Sequence, residues 1–148
     1  MSYVVYSADP LLLLRDHTGN RSVVKLERVA PLTADIGSGP SFDPMLGRWV
    51  GGFNQFLVPI SNAFRLTGIP PGTYSFYLYA STAGAPTDFY VAINASPPVL
   101  KTAACSGGPT NFVANDNYVA YENLVLSVGD VLAFSASGAF AGVQLLRI

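Results

Sequence analysis

The chain has 148 residues, of which half are apolar and only 17 are charged (8 Lys or Arg, 9 Asp or Glu), with a formal net charge of −1. An average composition of about 25% charged residues would supply about 37; the eight cations are also scattered, which excludes a nucleic-acid footprint and a basic membrane-binding cluster. A single cysteine, Cys105, excludes an internal disulfide and a multi-cysteine zinc site.

Taken in chain order, the first ten residues carry neither a basic stretch nor a long apolar core, so no signal peptide and a cytosolic synthesis are expected. Leu11–Leu14 is too short to span a bilayer and stops at Arg15 and Asp16. No run keeps a helical apolar period over 11 or more residues. Instead, 14 glycines and 11 prolines cut the chain into pieces of strand length rich in Tyr, Phe, Val, Thr and Leu. The expected strands are Tyr3–Ser7, Leu11–Arg15, Ser22–Val29, Arg48–Phe53, Asn54–Val58 and Ala63–Thr67 in the first part. Thr73–Ala80, Asp88–Asn94, Val99–Ala103, Tyr118–Val128, Val131–Ala136 and Phe140–Arg147 follow. Residues 30–47, rich in Pro and Gly, read as an extended surface excursion. Many short strands punctuated by turns predict one all-β domain over 1–148, an antiparallel β-sandwich of jelly-roll type.

Two turns have a readable chemistry. In Ile69-Pro70-Pro71-Gly72, Pro71 presets a negative φ and Gly72 would supply the positive φ of a type II turn. In Ser127-Val128-Gly129-Asp130, Gly129-Asp130 reads as a hairpin turn joining the strands on either side. In the strand between, Tyr74, Phe76 and Leu78 alternate with Ser75, Tyr77 and Tyr79. The first set reads as core, and the second as an aromatic, amphipathic face suited to a partly wet contact. Residues 1–65 carry 11 charges and residues 66–146 only five, which marks the C-terminal half as the packed, interface-prone part.

Catalytic sets are thin. His17 is the lone histidine and sits in a polar turn; Cys105 has no basic neighbour to depress its pKa. Asp116 and Glu122 are the one acidic pair placed near a common strand end, and as solvated loop residues they do not make a carboxylate dyad. Asn111–Asn117 has the residue types of a cation loop but also those of an ordinary turn. No catalytic residue, no metal ligand and no cofactor is therefore expected. Trp49 together with Tyr77 and Tyr79 forms the candidate binding set, an aromatic platform of the kind that stacks on sugar rings.

Phe64–Tyr74, with its Thr-Gly-Ile-Pro-Pro-Gly-Thr-Tyr core, resembles the opening strands of extracellular sandwich and carbohydrate-binding modules, and Tyr118–Leu124 and Val128–Phe134 resemble their closing strands. Gly72/Tyr74/Phe76, Gly129/Asp130 and Phe140/Gly142 also resemble the recurrent positions of trimeric tumour-necrosis-factor-like jelly rolls, a design shared by phage head-decoration and fibre-tip proteins. That resemblance, with the scarce charge, implies a non-enzymatic structural protein on a virion surface, a phage capsid decoration, cement or fibre. Its partners would be its own copies, a homotrimer foremost, and a capsid or other particle protein. A neutral Ser/Thr/Asn surface would explain the missing charge more blandly. The alternative function is a carbohydrate-binding module with a glycan as partner; nucleic acid and membrane are not expected partners.

Overall fold

The computed structural model of the chain describes residues 2–3, 11–15, 18, 20–28, 34–38, 48–52, 64–80, 86–106, 111–138 and 140–148; in strands 2–3, 11–15, 34–38 and 48–52 it describes the backbone. Among the described residues there are twelve strands: β1 (Ser2–Tyr3), β2 (Leu11–Arg15), β3 (Arg21–Arg28), β4 (Ala34–Ser38), β5 (Arg48–Gly52), β6 (Phe64–Thr67), β7 (Gly72–Ala80), β8 (Thr87–Ile93), β9 (Val99–Ala103), β10 (Tyr118–Leu126), β11 (Leu132–Ala136) and β12 (Phe140–Arg147). They form two six-stranded sheets. One runs β10-β7-β12-β5-β4 with β1 also on β12, and the other runs β2-β3-β6-β11-β8-β9. Every strand pairing is antiparallel. The antiparallel sandwich expected from the sequence is what the chain forms.

The period-two alternation of the strands decides which side chains enter the space between the sheets. From β7 these are Tyr74, Phe76, Leu78 and Ala80; from β10, Val119, Tyr121 and Leu126; from β12, Val143 and Leu145. The facing sheet contributes Val24, Leu26, Phe64, Leu66, Phe89, Val91, Leu132 and Phe134. Phe134 is where the layers meet. Its ring stacks on Phe64 of the neighbouring strand (5.1 Å, 14°) and takes Phe76 of the opposite sheet edge-on (5.4 Å, 63°). A second tie crosses the sandwich at its flank, where the buried Tyr121 hydroxyl donates to Phe89 O (2.8 Å) with Val99 O at 3.1 Å. Burial holds that phenol above its ordinary pKa. Lys101 on edge strand β9 lies over the Tyr121 ring and donates to Ala120 O, so a charged side chain closes the open side of the sandwich.

Both turns depart from the sequence reading. The positive φ of the Gly68–Gly72 segment is at Gly68 (+70°), where a Cβ would stand 2.8 Å from Val23 O, whereas Gly72 begins β7 without one. The turn is instead pinned by the Tyr74 hydroxyl, which donates to Pro70 O at 2.7 Å. Gly129 does take a positive φ (+84°), and Asp130 N–H closes the turn on Ser127 O. It does not close a hairpin, because β10 and β11 lie in different sheets and the turn carries the chain from one layer to the other. In the region read as an excursion, Ala34–Ser38 pairs with β5 as a strand. The expected strand Asn54–Val58 lies outside the described residues.

Asp130 organises the crossing turn. One carboxylate oxygen accepts Ser127 N–H (2.8 Å) and the other accepts the Asn94 amide (2.9 Å), while Asn94 Oδ1 accepts Val131 N–H (3.0 Å). The Asn94 bond first, and then the Ser127 N–H, hold this carboxyl below its ordinary value. A folded pKa below the unfolded one gives stability that is complete above the unfolded value, near pH 4, and fades as pH falls through the folded one. Urea unfolding across a pH series should therefore show Asp130→Asn losing less stability than the parent below about pH 4. Equal losses would mean that the network does not couple to folding.

Candidate functional site

The aromatic row on the outer face of the β10-β7-β12 sheet follows from register. Tyr79 of β7 stands opposite Tyr118 of β10, and Tyr77 stands opposite Ala120. Cross-strand and diagonal neighbours on one face come within reach of each other's rings. The centroids of Tyr79 and Tyr118 are 5.8 Å apart, and those of Tyr77 and Tyr118 are 6.0 Å apart. On its other side Tyr79 pairs with Gly142 of β12, packs on Ala141, and sends its hydroxyl 2.8 Å to Gln144 Oε1. Phe112 completes the row, edge-on to Tyr79 at 5.4 Å and 73°. Tyr79 is the buried base of this group, Tyr77 and Tyr118 are half-buried, and Phe112 is exposed. The cluster is separate from the core between the sheets.

Phe112 belongs to the loop leading into β10, and that loop is folded on one side chain. Asn117 is fully buried; its Oδ1 accepts Val113 N–H (2.9 Å) and its Nδ2 donates to Asn111 O (2.8 Å). Its backbone carbonyl accepts Ala80 N–H (2.9 Å), which ties the loop to the end of β7 beside Tyr79. The amide read at first as one of several cation-ligand types is thus spent on the loop's own backbone. Asp116 Oδ1 likewise accepts Ser106 N–H at 3.1 Å.

The two outer faces differ in charge. Arg21, Lys25, Glu27 and Arg65 lie on the outside of the β3-β6 pair, with Arg65 and Glu27 in an exposed ion pair at 2.8 Å. No register position that β10, β7 and β12 present beside the aromatic row carries a charge. Asp116, the acid closest to it in sequence, accepts Ser106 N–H, and Glu122 sits in the β10 bulge between Tyr121 and Leu124. No group of three or more His, Cys, Asp or Glu that could hold a metal ion occurs among the described residues. Cys105 is buried, 3.6 Å from Ala103 O and 3.8 Å from Thr87 Oγ1, and desolvation raises its thiol pKa away from the reactive thiolate.

Of the sequence-derived binding set, Tyr77 and Tyr79 lie in this one cluster, Tyr79 buried within it. The backbone of Trp49 lies in β5 opposite Gly37, and its side chain is outside the described residues, as is His17. Tyr118, Phe112 and Gln144 were missed. Each joins the site through strand pairing or loop folding across a long sequence separation.

No protein-family profile matches the chain, and no curated protein matches it. Among solved structures it is similar to two of an exo-beta-1,3-galactanase from Phanerochaete chrysosporium. One is of a variant with beta-1,3-galactotriose (18% identity, TM-score 0.44, 76% of this chain and 26% of that one). The other is with galactose (18% identity, TM-score 0.46, 85% of this chain and 30% of that one). The chain thus spans less than a third of the length of the enzyme it matches. Both matches are to a carbohydrate-active enzyme and neither is to a virion protein, which corrects the resemblance to phage decoration proteins and tumour-necrosis-factor-like trimers and the virion, capsid-decoration function built on it. The physical reason lies in a motif that carried the resemblance, since Gly129-Asp130 closes no hairpin. The expectation of a non-enzymatic chain is set aside with it: the protein in both matched structures is an enzyme, of which this chain spans less than a third. Among the described residues, the exposed Thr18, Asn20, Asn94, Thr102, Asn111 and Ser127 supply a neutral polar surface.

Proposed function

We propose that the chain is a carbohydrate-binding module that holds a glycan against the outer face of the β10-β7-β12 sheet. The observation that carries this reading is the contiguous aromatic group on the outer sheet face, in which half-buried Tyr77 and Tyr118 and exposed Phe112 pack around buried Tyr79. Sugar rings present C–H groups on one face and hydroxyls at the rim. Tyrosine matches both, with an apolar ring and a polar tip. We read the sandwich more finely as a jelly roll. The strand order β5-β12-β7-β10 facing β6-β11-β8-β9 is the order two nested Greek keys produce, an architecture that lectin domains use.

The test is direct. On a glycan array followed by calorimetry with the best binder, Tyr77→Ala and Tyr118→Ala should each weaken binding about tenfold, roughly 1.4 kcal/mol. Neither ring belongs to the core between the sheets, so the unfolding midpoint should stay close to that of the parent. A parent that binds no glycan, or variants that bind as the parent does, would sink the reading.

A further inference from the structure

Resting on that reading, we infer that the face takes the interior of a neutral, extended polysaccharide chain, in preference to a terminal sugar or an acidic glycan. Three observations converge. First, the rings spread over β7, β10 and the loop before β10 instead of converging on one point: the Tyr77–Tyr118, Tyr118–Tyr79 and Tyr79–Phe112 centroids are 6.0, 5.8 and 5.4 Å apart. Terminal-sugar recognition needs a concave site with several converging polar groups around one ring. A row on an open sheet instead gives each added sugar a further contact. Second, the surface continues past the rings. Leu146 of β12 stands opposite Ser75 and Val125 of β10 opposite Thr73, both exposed on the same face, so apolar contact persists along the sheet.

Third, the register positions of β10, β7 and β12 beside the rings carry no charge. The described cations at the margins are already engaged, Lys101 Nζ on Ala120 O and over the Tyr121 ring and Arg147 on Pro71 O, and Glu122 in the β10 bulge would repel an anion. Arg21, Lys25 and Arg65 are on the opposite sheet. Hydrogen bonding falls to tyrosine hydroxyls and the Gln144 amide, groups suited to uncharged hydroxyls.

The experiment is calorimetry and affinity electrophoresis with soluble neutral polysaccharides (laminarin, galactomannan, xyloglucan and pectic galactan) and with polygalacturonate and heparin. The neutral polymer that binds is then taken down to its tetra-, di- and monosaccharide. At least one neutral polymer should bind, with affinity rising about tenfold or more from monosaccharide to tetrasaccharide. Binding should change less than about twofold between roughly 20 and 500 mM NaCl. Equal affinity for monosaccharide and tetrasaccharide, or a preference for the acidic polymers that salt abolishes, would overturn the inference while leaving glycan binding intact. Failure of every glycan, neutral or acidic, would overturn the inference and the proposed function together.

Discussion

Replacing Phe134 with alanine should cost about 3–5 kcal/mol of folding stability, read as a drop in the urea midpoint. The ring is buried at the contact between layers, stacked on Phe64 in its own sheet and met edge-on by Phe76 from the other. Truncation therefore removes the transfer energy of a large aromatic and leaves a cavity bounded by two strand pairs. β11 is fixed by ladders to β6 and β8, so the walls cannot collapse far, which places the cost in the upper part of the range seen for such changes. Phe134→Leu should recover more than half of the loss by refilling volume. The outer aromatic row is not in contact with this cavity, so glycan affinity measured well below the midpoint should be unchanged. A loss under about 1 kcal/mol would mean that the two sheets do not meet through these rings.

What could be read from sequence was what strict local periodicity writes. The alternation in Thr73–Ala80 put Tyr74, Phe76 and Leu78 inside and Tyr77 and Tyr79 outside, and β7 obeys it. β2, β9 and β12 fall on the expected bounds because Pro10, Pro98 and Gly138 punctuate the chain just before them. β4 was not legible, because Ala-Asp-Ile-Gly-Ser has poor strand propensity and becomes a strand through its pairing with β5. Turn chemistry likewise marks a turn without fixing its destination. Gly129 satisfies the same φ whether the next strand pairs with the last or crosses to the facing sheet. Between Gly68 and Gly72, the close approach of Val23 O decides where glycine is needed, and that neighbour is 45 residues away in the chain. The site divides in the same way. Tyr77 and Tyr79 share a strand and could be paired by eye, whereas Tyr118 and Phe112 join them only because β10 lies beside β7.

Asn117 is where fold and site are most tightly coupled, and its substitutions should separate the two contributions. Asn117→Ala removes both side-chain bonds that shape residues 111–117. Val113 N–H and Asn111 C=O then depend on water, which their exposed positions admit, so the expected cost is about 1–3 kcal/mol. The larger consequence falls on Phe112, which loses the loop that holds it edge-on to Tyr79. Glycan affinity should therefore drop in Asn117→Ala by as much as in Phe112→Ala, although Asn117 itself is buried beneath the surface. Asn117→Asp gives a sharper signature. Its carboxylate still accepts Val113 N–H but opposes Asn111 O, a lone-pair conflict in a buried place that raises the folded pKa above the unfolded one. A raised carboxyl pKa destabilises the fold above the unfolded value and relieves it as pH falls, because the protonated acid donates to Asn111 O as the amide did. The variant should thus bind and unfold like Asn117→Ala at neutral pH and move toward the parent near pH 4. Parent-like glycan affinity in all three variants, Phe112→Ala included, would place the loop outside the binding face and leave the row of tyrosines to act alone.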